Sequence, residues 1–169
     1  MYAATGPGTA DQPATWGRMT MCEALGPSHA FLEQAGRLRL LLRGDSFGEV
    51  VAEGARALGD RMCGRAERGP SGPWLDVELH AASREKLLVD WLNRLLYLAG
   101  RERWAPVECE LITVNDDSLH ARVRGVALET KPRLGRAILP GSLSAPGGTG
   151  LQAEVILKPR RAAIRKGRR

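Results

Sequence analysis

The chain has 169 residues, of which 43% are hydrophobic and 26% charged, so it is long and apolar enough for one domain with a substantial core. Its net charge of +6 lies at one end, because residues 158–169 contain seven basic side chains and no acidic one. Without those seven, 18 basic residues face 19 acidic ones, and this balance argues against a nucleic-acid-binding protein that is basic throughout.

Several functional classes are disfavoured by what the sequence lacks. Asp90 and Arg94 interrupt the longest apolar run, so we expect no membrane-spanning helix. The three cysteines include no C-x-x-C pair, which favours reduced thiols in a cytoplasmic protein. The three scattered histidines do not indicate a zinc site, and no glycine-rich loop follows a predicted strand. No motif combines a nucleophile, a base and an orienting group, so we expect a protein that is not an enzyme.

The predicted elements begin after a region without apolar periodicity. Residues 1–28 are rich in Gly, Ala, Pro and Thr and predict a disordered extension. A run of leucines at 38–42 predicts a central strand, and Ser46 and Glu49 have the spacing of a capping box. A helix should follow, with small residues at Gly54 and Ala55 where close packing is needed. The face that we expect it to bury consists of Phe47, Val50, Val51, Leu58 and Met62.

Residues 65–73 predict a loop, and the alternation at 75–80 predicts a strand. A second amphipathic helix spans 83–100, with Ser83 as its N-cap and Gly100 at its end. Its apolar face, which should be buried, consists of Leu87, Leu88, Trp91, Leu92, Leu95 and Leu96. Strands at 107–114 and 119–124 should form a hairpin, with Leu119, Ala121 and Val123 facing inward, and a last strand is expected at 151–157 after a loop at 140–150. This order predicts an α+β fold, a two-layer sandwich of a mixed β-sheet with two main helices.

Three blocks of the sequence carry a family resemblance. The second helix reads E-K-L-L-V-D-W-L-N-R-L-L-Y-L at 85–98, the hairpin reads V-E-C-E-L-I-T-V-N-D-D-S-L-H-A-R-V-R-G at 107–125, and 43–49 reads R-G-D-S-F-G-E. Together with the strand at 38–42, these blocks resemble archease across residues 31–157. The resemblance implies an archease-like domain at 29–158, between the extension at 1–28 and a basic tail at 159–169. It also implies an accessory protein that activates an RtcB-type RNA ligase in tRNA splicing and RNA repair.

The resemblance fails at the family's metal ligands. Archeases carry E-H-T-A-D before the first strand, with the aspartate as a metal ligand, where this chain has E-Q-A-G-R ending at Arg37. A second family aspartate closes v-v-L-D near the C-terminus, where this chain has V-I-L-K ending at Lys158. Two cations in place of two carboxylates would repel calcium or magnesium, so we expect no metal cofactor.

These departures suggest an anion or partner site instead. The family's K-A-x-T-Y-H segment is matched only by Lys131, with Arg136 at its last position. If Arg37 and Lys158 converge as the family's aspartates do, a positive pocket results, to which Lys131 and Arg136 would add charge. The alternative is that Arg37 and Lys158 point into solvent or pair with Glu33 and Asp45.

Two functions therefore stand side by side at this point. The first is assistance to an RtcB-type RNA ligase. The second is a metal-free archease-like binding module for RNA or a protein partner, without a ligase-activating role. The basic tail either contacts RNA phosphates or is only a solvated terminus. Its cations are Arg160, Arg161, Arg165, Lys166, Arg168 and Arg169.

Overall fold

The structure is a computed structural model that describes residues 27–63, 71–138, 143–145 and 150–160. In chain order it contains β1 (Ser28–Gln34), β2 (Arg37–Gly44), α1 (Phe47–Cys63), β3 (Ser71–His80), α2 (Arg84–Glu102), β4 (Trp104–Val114), β5 (Ser118–Ala127), β6 (Leu134–Ile138) and β7 (Leu151–Pro159). The predicted extension at 1–28 and the basic tail beyond Arg160 lie almost entirely outside the described residues. Neither helix in the described part is long and apolar enough to cross a membrane.

The strands form two antiparallel sheets. One has the order β1-β2-β7-β6 and the other the order β3-β5-β4. The α+β class with two helices is confirmed, but the structure differs from the single mixed sheet that we expected. The reason lies in long-range pairing: β7 returns antiparallel beside β2, whereas the β4–β5 hairpin pairs with β3.

The chain enters the first sheet through a hairpin whose first strand the sequence pattern did not indicate. Strand β1 pairs with β2 in a register that puts Gln34 opposite Arg37 and leaves Ala35 and Gly36 as a two-residue turn. Both turn residues have positive φ, 51° for Ala35 and 72° for Gly36. Positive φ at both positions is the requirement of a type I′ turn, which matches the twist of the flanking strands.

Both helices begin as predicted, and the second ends later. At α1, the Ser46 Oγ accepts a hydrogen bond from the Glu49 amide, and the Glu49 carboxylate accepts one from the Asp45 amide. At α2, the Ser83 Oγ accepts from the Lys86 amide at 3.2 Å. Gly100 does not end this helix: it is buried within it, and Arg103 forms the left-handed cap with φ of 51°.

One hydrophobic core joins both sheets to both helices. Trp91 is fully buried, and its indole Nε1 donates to the Val51 carbonyl of α1 at 2.9 Å. A methyl group at Gly54 would lie 2.9 Å from Leu92 Cδ2, so the two helices touch closely there, as the small residues predicted. The predicted inward faces of the second helix and of β5 are confirmed by the burial of Leu87, Leu88, Leu92, Leu95, Leu96, Leu119, Ala121 and Val123.

The four-stranded sheet has one face in this core and one face outside it. Leu40, Leu42, Val155 and Leu157 are at most 1% exposed, and they alternate along β2 and β7 with residues of the opposite face. Because successive side chains on a strand point to opposite sides, the alternate positions form an outer face.

Candidate functional site

Arg37 and Lys158, which the resemblance assigns to the family's metal-ligand positions, come together at one end of the outer face. Leu38 pairs with Leu157, and both belong to the core or pack against it. Arg37 and Lys158 are the next residues along β2 and β7, so they lie side by side and face outward, and both are exposed. Neither forms an ion pair with Glu33 or Asp45, the partners considered in the alternative.

A third cation extends this arrangement onto β6. Arg136 lies opposite Lys158 in the β6–β7 register, and its neighbour Ala137 is buried, so Arg136 also faces outward. Arg37, Lys158 and Arg136 therefore stand on three adjacent strands, each about 4.8 Å from the next. We call these three residues the cation row.

Two more arginines continue the positive charge along β2. Arg39 and Arg43 occupy the outward positions, and the Arg39 guanidinium pairs with the Glu154 carboxylate at 3.3 Å. Arg43 donates to the amide oxygen of Gln152, which carries no charge. Arg39 Nε is shielded from solvent and has no hydrogen-bond partner. We call the cation row together with Arg39 and Arg43 the basic face.

Glu154 is the single acidic side chain at the outward positions of the described strands of this sheet. Five cations thus face one carboxylate. In the described part of the chain, no acidic group lies within ion-pairing distance of Arg37, Arg43, Arg136 or Lys158. The charge of this face is therefore largely uncompensated and available to an anionic partner.

Lys131, the fourth residue of the predicted site, lies apart from the cation row. It lines a cavity between the end of α1 and the β5–β6 connection, together with Arg61, Cys63 and Arg133. The described part of the basic tail also turns away, because the Arg160 guanidinium donates to the Gly100 carbonyl at the end of α2, at 3.4 Å. Residues 161–169, which hold the other predicted tail cations, lie outside the described residues.

The donor chemistry at the family's metal position does not fit a divalent cation. Guanidinium and ammonium groups have no lone pair to offer, and hard cations require oxygen ligands. In the part of the chain that the structure describes, no group of three or more His, Cys, Asp and Glu side chains could hold a metal ion. The family's metal therefore has no ligand set at Arg37 and Lys158.

The outer face of the three-stranded sheet shows the opposite balance of charge. Arg124 pairs with Glu108 at 2.7 Å, and Arg122 lies 3.9 Å from both Asp76 and Glu110. His120 faces Asp76 and Glu78 at 3.3 and 3.9 Å. Trp74 packs beneath both arginines, with ring distances of 5.5 and 5.0 Å. Four carboxylates, those of Asp76, Glu78, Glu108 and Glu110, thus surround two arginines, so this face is net acidic whereas the basic face is net cationic.

A second polar cluster lies between β1 and α1, and sequence reasoning missed it. The His29 Nδ1 is 2.5 Å from a Glu53 carboxylate oxygen, and the Nε2 is 3.2 Å from Asp60. Glu53 is only 3% exposed, while Asp60 is largely exposed. No nucleophile adjoins this histidine among its described partners, so the cluster joins the edge strand to the helix.

The half-buried Cys109 is unsuited to nucleophilic chemistry. Burial raises the pKa of its thiol to about 11, so the reactive thiolate is scarce at neutral pH.

Comparison with known proteins agrees with this fold. The chain is similar to a solution structure of Methanobacterium thermoautotrophicum protein 1598, with 17% identity over 76% of this chain and 96% of that one, and a TM-score of 0.53. It is also similar to a crystal structure of an archease from Thermotoga maritima, with 15% identity over 75% and 93% of the two chains and a TM-score of 0.51. A search of curated proteins finds no match.

The family comparison covers most of the described domain. Residues 30–137 match the model of the archease protein family, from within strand β1 to Ala137 of strand β6. The chain therefore belongs to the archease family.

Proposed function

We propose that this protein is a non-enzymatic accessory factor of an RtcB-type RNA ligase, and that it acts without a divalent cation at the family's metal position. The observation that carries the proposal is that Arg37 and Lys158, which the resemblance assigns to the family's two aspartates, lie side by side at one end of the outer face.

The substitution replaces a bound charge by fixed charges. Two aspartates with one divalent cation sum to a neutral site, whereas Arg37 and Lys158 carry two positive charges permanently, and Arg136 adds a third. An anionic group on a partner would meet guanidinium N–H donors directly, in the bidentate geometry that arginine favours for carboxylates and phosphates. Partner binding at this site would then depend on salt concentration and not on calcium or magnesium.

The absence of a catalytic arrangement in the described domain supports an accessory role. The Cys109 thiol has a raised pKa, and His29 is engaged by two carboxylates without an adjoining nucleophile. The protein would act through binding, with the ligase supplying the chemistry.

The test is a ligation assay with the RtcB-type ligase of the same genome and a broken-tRNA substrate, with and without this protein. We expect the native chain to raise the number of ligase turnovers. In the double variant Arg37→Gln, Lys158→Gln, the increase in ligase turnovers should be at least tenfold smaller. The matched control Arg94→Gln, Arg101→Gln removes two exposed charges from α2 and should keep it.

A native chain that leaves ligation unchanged would contradict the proposal. Equal stimulation by the native chain and the Arg37, Lys158 variant would contradict the part assigned to those residues.

The second candidate function, a binding module without a ligase role, is favoured by the uncompensated charge of the basic face.

A further inference from the structure

We infer that the basic face of the four-stranded sheet binds the sugar–phosphate backbone of RNA, independently of base sequence. This inference goes beyond the proposed function, because it concerns a binding activity of the protein alone. It rests on the whole outer face, not on the two family positions.

The outer faces of the two sheets differ in their balance of charge. On the three-stranded sheet, His120, Arg122 and Arg124 all have acidic neighbours, and carboxylates outnumber arginines there. The four-stranded sheet opposes five cations with Glu154 alone. Because residues 1–158, which include Lys158, hold 19 basic and 19 acidic side chains, this concentration reflects segregation within the domain. Uncompensated like charges repel one another, and an anionic partner relieves that repulsion.

The spacing and chemistry of the cations suit the phosphates of a nucleic-acid backbone. Those of the cation row are about 5 Å apart across the strands, and alternate residues of β2 are about 7 Å apart along it. Four of the five are arginines, whose planar guanidinium groups bind phosphate oxygens in pairs. A flexible polyanion can place successive phosphates over such an array, and each contact releases a counterion.

The position of the cavities favours RNA over an acidic protein as the partner. Protein partners anchor large side chains in pockets near the centre of an interface. Two cavities of the described domain, one beside Lys131 and one beside Trp74, are lined by other residues, and no residue of the basic face contributes to them. The five cations thus lie outside both of these cavities.

The apolar side chains of the outer face favour binding that is independent of base sequence. The apolar side chains at outward positions of this sheet are aliphatic, with Leu32 49% exposed and with Leu41, Ile138 and Ile156 partly exposed. Single-strand binders that hold the bases use aromatic side chains as stacking platforms. No aromatic residue occupies an outward position in the described strands of this sheet, so backbone contacts would dominate.

The basic tail follows directly after the cation row in the sequence. Lys158 is the last outward residue of β7, and residues 159–169 follow with six cations and no acid. The tail can add sequence-independent affinity, so the experiment must separate it from the sheet.

The experiment measures fluorescence anisotropy of a labelled 20-nucleotide oligo(U) with the full-length protein from 50 to 300 mM salt. In the triple variant Arg37→Gln, Arg136→Gln, Lys158→Gln, we expect affinity at 100 mM salt to fall at least tenfold. The slope of log affinity against log salt should fall in magnitude by about 2, since each lost single-strand phosphate contact removes about 0.7.

The matched control is Lys86→Gln, Arg94→Gln, Arg101→Gln, which removes three exposed charges from α2 and should leave the slope near that of the native chain. Both triple variants retain the tail, and their melting temperatures report on folding. Arg37→Lys with Arg136→Lys, which keeps the charge, should keep the native slope. Oligo(A) should bind within about twofold of oligo(U).

Three results would overturn the inference. One is the absence of salt-dependent RNA binding by the native chain. Another is an equal loss of slope in the basic-face and control variants, which would assign the affinity to net charge and the tail. The third is tighter binding of a polyglutamate peptide of equal charge, which would favour an acidic protein partner.

Discussion

His29 is a single side chain that joins two elements of the fold. It connects edge strand β1 to helix α1 through Glu53, which is buried, and through Asp60, which is not. A buried carboxylate that loses its hydrogen-bond partner retains the full cost of its desolvation, whereas an exposed ion pair contributes little.

We predict that His29→Ala lowers the free energy of unfolding by about 1 to 3 kcal/mol, because Glu53 then remains buried with only Arg56 at 3.7 Å. The control Asp60→Ala removes the exposed carboxylate and should cost less than about 1 kcal/mol. Urea denaturation of the three proteins measures both effects. Equal losses in the two variants would show that the burial of Glu53 does not matter.

Residue-level prediction from sequence succeeded where a neighbouring pattern fixed the position. Trp91, Leu92 and Leu95 were placed in the core by helical spacing, and their complete burial follows from that period. His29 could not be placed in this way, since its partner lies 24 residues away and no local signal links strand to helix. The proximity of Arg37 and Lys158 was suggested by the family resemblance and not by their spacing.

At the scale of elements, the β1–β2 hairpin contains a correctable strain. Ala35 adopts φ of 51°, a left-handed conformation that is unfavourable for a residue with a Cβ atom and no side-chain hydrogen bond. Asn-Gly is the preferred pair in this type of turn, and Gly36 already fills the second position.

Ala35→Asn should therefore raise the free energy of unfolding by about 0.5 to 1 kcal/mol, since asparagine tolerates this conformation. Gly36→Ala serves as the opposite control: its φ of 72° should make alanine destabilising, although the site is open. The midpoint of urea unfolding reports both changes. An Ala35→Asn variant no more stable than its parent would contradict the turn assignment.

Elements with strong local signals were predictable, and elements that depend on distant pairing were not. Periodicity and caps predict both helices, but Gly100 predicts an end to α2 that the structure does not have, since its packing against the Arg160 side chain has no local signature. Strand β6 is short and contains Gly135, and it is held by its pairing with β7 and by Asn93, whose side chain hydrogen-bonds to the N–H and C=O of Ala137. The division into two sheets depends on which strands meet after folding, and the sequence of elements does not determine that.

At the scale of the whole molecule, the charges are segregated. One sheet carries more carboxylates than arginines on its outer face, and the other concentrates cations there, in a domain that belongs to the archease family. Arg37 and Lys158, which the resemblance assigns to the family's metal-ligand positions, lie at one end of the basic face. We propose that fixed cations take the place of a bound metal there.

The most direct measurement is the melting temperature of the native chain as a function of calcium and of magnesium concentration. A specific ligand at a hundredfold excess over its dissociation constant adds about 2.7 kcal/mol, which corresponds to a shift of about 5 °C or more for a domain of this size. We predict no saturable shift with either ion at millimolar concentration. A saturable rise of several degrees that is lost when Glu33 or Glu154 is changed to Gln would contradict the claim.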